Sequence, residues 1–99
     1  MPLFTIYALD VPDSGPLRAV HGEQHRLRLR NATGPVRVVV AGPLRNDDGT
    51  PIGSLLIVEA ETADIVREFV EADPYRINAI YDTVDIRPFD VSIGALGSG

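Results

Sequence analysis

The chain has 99 residues, 44% of them hydrophobic and 23% charged, with a net charge of −5 at neutral pH. That length holds one small domain and not two, and the acidic balance argues against a general affinity for nucleic acid. With no cysteine, and with all nine basic residues arginine, disulfides, thiolate metal sites, thiol nucleophiles and Schiff-base lysines are excluded, which leaves carboxylate, imidazole, hydroxyl and guanidinium chemistry.

Phe4-Thr5-Ile6-Tyr7-Ala8-Leu9 alternates as a strand does and is rich in β-formers. Asp10 to Pro16 is a cluster of breakers and reads as a loop. Leu17 to Thr33 reads two ways. Arg26-Leu27-Arg28-Leu29-Arg30 has the period of a strand. A helix starting after Pro16 would instead stack His21, His25, Leu29 and Ala32 on one stripe and stop near Gly34. Either way, the arginines between the leucines are expected on a solvated face.

Val36 to Ala41 is a strand that Gly42-Pro43 should end, and Ser54 to Glu59 is a second. The polar turn between them, Asn46 to Pro51, makes an antiparallel hairpin. Thr62 is a helix cap with Asp64 in the first turn, and Ile65, Val66, Phe69 and Val70 follow at helical spacing. Asp73-Pro74 is a cap and first-turn pair that should open a short helix through Ile80. Tyr81 to Phe89 is a last strand, placed at or near an edge by Pro88. Residues 1–93 form the expected domain and 94–99 a loose tail.

The order strand, helix, strand, strand, helix, strand is the α+β, ferredoxin-like split βαβ (βαββαβ) arrangement, a four-stranded antiparallel sheet with both helices on one face. The other face is then bare. Apolar runs in the two hairpin strands require a cover, so a homodimer packed through the sheet faces is expected. No apolar run approaches the roughly 20 residues of a membrane span. The segment Met1 to Thr5 lacks the marks of a secretory signal, so no membrane partner and a cytoplasmic location are expected.

Several short motifs run in order along the chain. They are the opening strand, Arg18 seven residues before His25, Ala41-Gly42-Pro43-Leu44, Asp48-Gly49, Gly53-Ser54, Ala72-Asp73-Pro74-Tyr75 and Ile86-Arg87-Pro88-Phe89. Their order and spacing resemble the YCII-related (YciI-like) domain family. The resemblance implies a dimeric α+β barrel and decides Leu17–Thr33 in favour of helix. It also implies a His–Asp site that maps onto His25 and Asp73. Two positions depart from the family's pattern, Gly22 where an arginine is common and Arg26 where a leucine is. Some family members act in the breakdown of chlorinated aromatic compounds, which implies elimination or proton-transfer chemistry.

In that topology His25, in the N-terminal half of the first helix, meets Asp73, after the second, at one edge of the domain. Gly42, Pro43 and Ser54 reach the same edge. A carboxylate beside an imidazole orients the ring and makes histidine a better base. Arg18 is a candidate to hold an anionic group or a carboxylate, Ser54 to donate a hydrogen bond, and Tyr75 to touch the ligand. Each residue also has a plain structural role. Asp73 caps a helix, His25 is a buried histidine, Arg18 lies on the surface, Gly42-Pro43 ends a strand, and Tyr75 belongs to the core. His21 and His25 stand four apart, a spacing that suits a shared metal, but no glutamate follows His21 and no second shell is evident, so no metal and no cofactor are expected. The expected function is a small acid–base enzyme acting on a small organic molecule. The alternative is a domain of the same fold that binds a ligand or a protein without chemistry.

Overall fold

The computed structural model describes residues 1–96. Seven elements follow in order: β1 (Leu3–Asp10), α1 (Gly15–Arg30), β2 (Arg37–Arg45), β3 (Pro51–Glu59), α2 (Ala63–Glu71), α3 (Pro74–Ile77) and β4 (Tyr81–Phe89). The strands form one antiparallel sheet in the order β2-β3-β1-β4, the ferredoxin-like arrangement. Each strand presents alternate residues to each face, and directly opposed residues share a face. One face therefore carries the rows Pro88–Phe4–Val58–Val38, Ile86–Ile6–Leu56–Ala41 and Val84–Ala8–Ser54–Pro43.

That face meets the helices. Phe4, Ile6, Leu29, Leu56, Val58, Val66 and Val70 are buried in a single cluster beneath them. Burying a side chain of this size contributes roughly 1.5–3 kcal/mol. On the other face Tyr7, Leu55 and Val40 remain exposed.

The segment that reads two ways in sequence is a helix. Its inner face carries Gly22, His25 and Leu29 at spacings of three and four, so the buried stripe runs through Gly22 in place of His21, which is half-buried. The helix starts at Gly15, inside the breaker cluster expected to be loop. Ser14 supplies the first carbonyl, to the Arg18 N–H at 2.9 Å, and Pro16 is tolerated in the first turn. The earlier start puts His25 past the midpoint of α1, and the helix ends at Arg30, short of Gly34.

The sequence expectation for Gly42-Pro43 also needs correction. The pair does not end β2, which continues to Arg45. As an edge strand, β2 can hold a proline whose missing N–H would otherwise break a ladder. Correspondingly, β3 begins at Pro51, and the connecting turn closes through Asn46 N–H to the Thr50 carbonyl at 2.9 Å, with Gly49 at φ 88°. Thr62 caps α2 by accepting from the Ile65 N–H. The α3 helix is one turn, shorter than expected, and Ala79 follows it at φ 57°. Pro88 lies on an edge strand as expected. Of the expected tail, Gly94 to Leu96 has no regular structure and the remainder lies outside the described residues.

Candidate active site

Asp73 does two things with one oxygen. Its Oδ1 accepts the Tyr75 N–H at 2.8 Å, capping α3, and stands 2.7 Å from Nδ1 of His25 on α1. The cap and the histidine partner are thus the same group. Both side chains are buried, at 8% exposure for His25 and 5% for Asp73. An ionised carboxylate only accepts hydrogen bonds, so beside one Nδ1 is the donor, and a neutral ring then has its lone pair on Nε2.

Two tyrosines pack against the ring. Tyr75, from the turn that Asp73 caps, stacks on His25 with centroids 3.8 Å apart and planes 5° from parallel. Tyr81, at the start of β4, meets both rings edge-on. Arg28 donates to the Phe69 carbonyl at 2.8 Å, reaches Asp73 Oδ2 at 3.4 Å and lies over the Phe69 ring. It is therefore not part of the solvated face that the alternation of arginine and leucine suggests. Residues two apart on a helix point to nearly opposite sides, so Arg28 faces away from Arg26 and Arg30, and its partner carbonyl lies 41 residues away.

Arg18 is partnered by a residue that the sequence reading passed over. Asp10, at the end of β1, takes the Arg18 guanidinium in a fork, Nε to Oδ2 at 2.6 Å and Nη2 to Oδ1 at 3.1 Å. Ser14 also donates to Asp10, at 2.6 Å. The Asp10 side chain is 2% exposed, so this ion pair is desolvated and held by its own hydrogen bonds. The same Nη2 donates to the Gly53 carbonyl at 2.8 Å and contacts Ser54 Oγ at 3.3 Å. Gly53 is required there, because a Cβ would fall 2.2 Å from the Ala8 carbonyl oxygen. Nothing in the local pattern of a breaker cluster marks Asp10 as a partner. Only the fold brings it to Arg18.

A cavity of about 260 Å³ opens between α1 and the β2–β3 hairpin. His25, Arg18, Gly42, Pro43 and Ser54 line it, together with Arg26, Arg30, Leu29, Ala41 and Leu56. Five of the seven expected site residues thus line one cavity. Asp73 and Tyr75 stand behind His25, as its hydrogen-bond partner and its stacking partner, and do not line the cavity. The Tyr81 hydroxyl is buried with no hydrogen-bond partner among the described residues. Burial pushes it well above the ordinary phenol range, with the neighbouring Ser54 hydroxyl pulling the other way. Among the described residues no group of three or more His, Cys, Asp or Glu side chains is placed to hold a metal.

The sequence model of the YCII-related domain matches residues 2–90. Protein YciI of Escherichia coli O6:H1 is 33% identical over 93 residues, covering 88% of this chain and 95% of its own. An uncharacterized protein of Haemophilus influenzae is 30% identical over 92 residues, covering 87% and 94%. Among solved structures, the chain is similar to 5-chloro-2-hydroxyhydroquinone dehydrochlorinase from Burkholderia phenoliruptrix AC1100, in complex with 2,5-dihydroxybenzoquinone. That match has a TM-score of 0.78 and 31% identity, and it covers 89% of this chain and 93% of the other.

Proposed function

This chain belongs to the YCII-related domain family, and from that premise we propose that it is a small acid–base enzyme in which His25 removes a proton from a small organic substrate. The observation that carries this reading is the 2.7 Å contact of Asp73 with Nδ1, which assigns the lone pair to Nε2 of a ring that borders the cavity. Asp73 orients the ring and stabilises its charged form once the proton arrives. Arg28 and the Tyr75 N–H keep the carboxylate in place. Arg18 is occupied by Asp10, so its role is to fix Ser54 and the Gly53 carbonyl at the cavity wall. Gly42 and Pro43 form the facing wall.

Elimination of HX fits such a site. Nε2 takes the proton, its electron pair becomes the new double bond, and X leaves as an anion, with no outside oxidant or reductant. The similarity to a dehydrochlorinase supports this reaction class. We propose further that a second copy of the chain covers the outer sheet face, where Tyr7, Leu55 and Val40 are exposed. Sedimentation showing a stable monomer at micromolar concentration would remove that part of the reading.

The test is chloride release from 5-chloro-2-hydroxyhydroquinone under anaerobic conditions. Wild-type protein is expected to turn it over, and His25→Asn to lose about 10²–10⁴-fold in kcat, the usual contribution of a positioned base. Turnover that survives His25→Asn overturns the assignment. Saturable binding with no turnover favours a ligand-binding module of the same fold.

A further inference from the structure

The cavity wall is basic in an acidic protein. Its lining residues include three arginines and His25 and no carboxylate, although the whole chain carries a net charge of −5. The charge of Arg18 is answered by Asp10. Those of Arg26 and Arg30 are not, since neither makes an ion pair among the described residues. The two stand four apart on α1, one helical turn, where like charges repel. Both are exposed, and nothing among the described residues neutralises them where they line the cavity, which leaves them free to meet an anion there.

Gly22 explains how one of them is positioned. A Cβ at Gly22 would lie 2.9 Å from Nη1 of Arg26 and 3.1 Å from the Tyr75 hydroxyl. The guanidinium thus folds back one turn along the helix into the space that the missing side chain leaves, beside a phenol. Burial raises that phenol above its ordinary range, with Arg18 and Arg26 pulling the other way. A guanidinium suits the fork of a carboxylate or the oxygen of an ionised ring hydroxyl.

We infer that Arg26 and Arg30 form an anion-binding wall that selects a compact organic oxyanion for this cavity, with Gly22 making the space from which Arg26 acts. The inference rests on the acid–base reading for its biological meaning and names the substrate class of that site. It places the anionic group next to His25 along α1, so that the substrate's reacting part falls toward Nε2 and Ser54.

Benzoate and benzamide have nearly the same shape and differ in charge. Each is titrated into the full chain in a phosphate-free buffer, with ¹H–¹⁵N spectra read at the amides of residues 22–30. Benzoate is expected to bind at least about tenfold more tightly than benzamide. Arg26→Gln and Arg30→Gln each remove about tenfold of the benzoate affinity, as loss of a charge-assisted contact does, and leave benzamide unchanged. Gly22→Ala, whose methyl group displaces the Arg26 guanidinium, weakens benzoate in the same direction. Equal affinity for the two probes, or benzoate binding indifferent to both glutamine variants, overturns the inference. These affinities are read without turnover, so failure of the acid–base reading shows up separately, as chloride release that does not depend on His25.

Discussion

The interior has two ends, and they are built from different chemistry. Along β1 the inward residues run Phe4, Ile6, Ala8, then Asp10 past a register shift, and along β3 they run Val58, Leu56, Ser54. Both central strands thus pass from large and apolar to small and polar in the same direction. The first end packs Phe4, Ile6, Leu56, Val58, Val66 and Val70 with no polar side chain in the cluster. At the second, Ala8 leaves room for Tyr75 and Tyr81, and the buried polar side chains His25, Asp73, Ser54 and Ser14 all belong to that region. Burying polar groups costs stability unless each finds a partner. The fold accepts that cost at one end only, where the partners are Asp10, Arg18, Arg28 and the Tyr75 N–H. The apolar end holds the sheet and helices together so that the polar end can hold the His25 ring in place.

Substitutions at the two ends should therefore fail differently. The largest effect is expected from Arg18→Met, which keeps the packing but leaves the Asp10 charge buried with only the Ser14 hydroxyl to hold it. Breaking a buried pair from one side typically costs about 3–5 kcal/mol, and urea unfolding should show it as a lower midpoint with an unchanged slope. A loss below about 1 kcal/mol, the value of an exposed pair, would mean that Asp10 is solvated and that the two ends are less distinct than described.

A smaller loss is expected at the apolar end. Ile6 is 1% exposed, and Ile6→Val should cost about 0.5–1.5 kcal/mol with ligand affinity unchanged. A change in affinity beyond the stability loss would join the two ends into one cooperative site.

The smallest effect is the alkaline one. Burial raises the Tyr81 hydroxyl above its unfolded value, so its share of stability is complete below about pH 10 and is shed as pH climbs toward the folded value. Tyr81→Phe should flatten that decline, by under about 1 kcal/mol at pH 10.5, and leave neutral-pH stability equal or improved, because an orphan hydroxyl is removed. Parallel alkaline curves for the two proteins would show that this hydroxyl is not the group that titrates.

Much of this was legible in the sequence, and what was not has physical reasons. The strand pattern and the Thr62 and Asp73 caps follow from local rules, and the structure bears them out. The segment Leu17–Thr33 carried two periods at once, because arginines at 26, 28 and 30 alternate with leucines while Gly22, His25 and Leu29 follow the helical turn. Residue pattern alone left it open, and the family resemblance decided it. Gly42-Pro43 looked like a terminator because proline breaks central strands, and an edge is a property of the whole sheet that no local window contains. The pairings of Arg18 with Asp10 and of Arg28 with the Phe69 carbonyl were missed for the same reason. Gly22 and Arg26 stood out in sequence only as departures from a pattern, and their contact across one helical turn gives those departures a geometry.

The central claim is that Asp73 fixes the His25 ring with its proton on Nδ1 and its lone pair on Nε2. Long-range ¹H–¹⁵N correlation of the imidazoles in uniformly labelled protein reads this directly, with His21 as the internal reference. The account predicts a neutral His25 ring protonated at Nδ1 and bare at Nε2, with the Nδ1 proton shifted downfield by its 2.7 Å contact. A neutral ring protonated at Nε2 would contradict it and leave Asp73 as a helix cap alone.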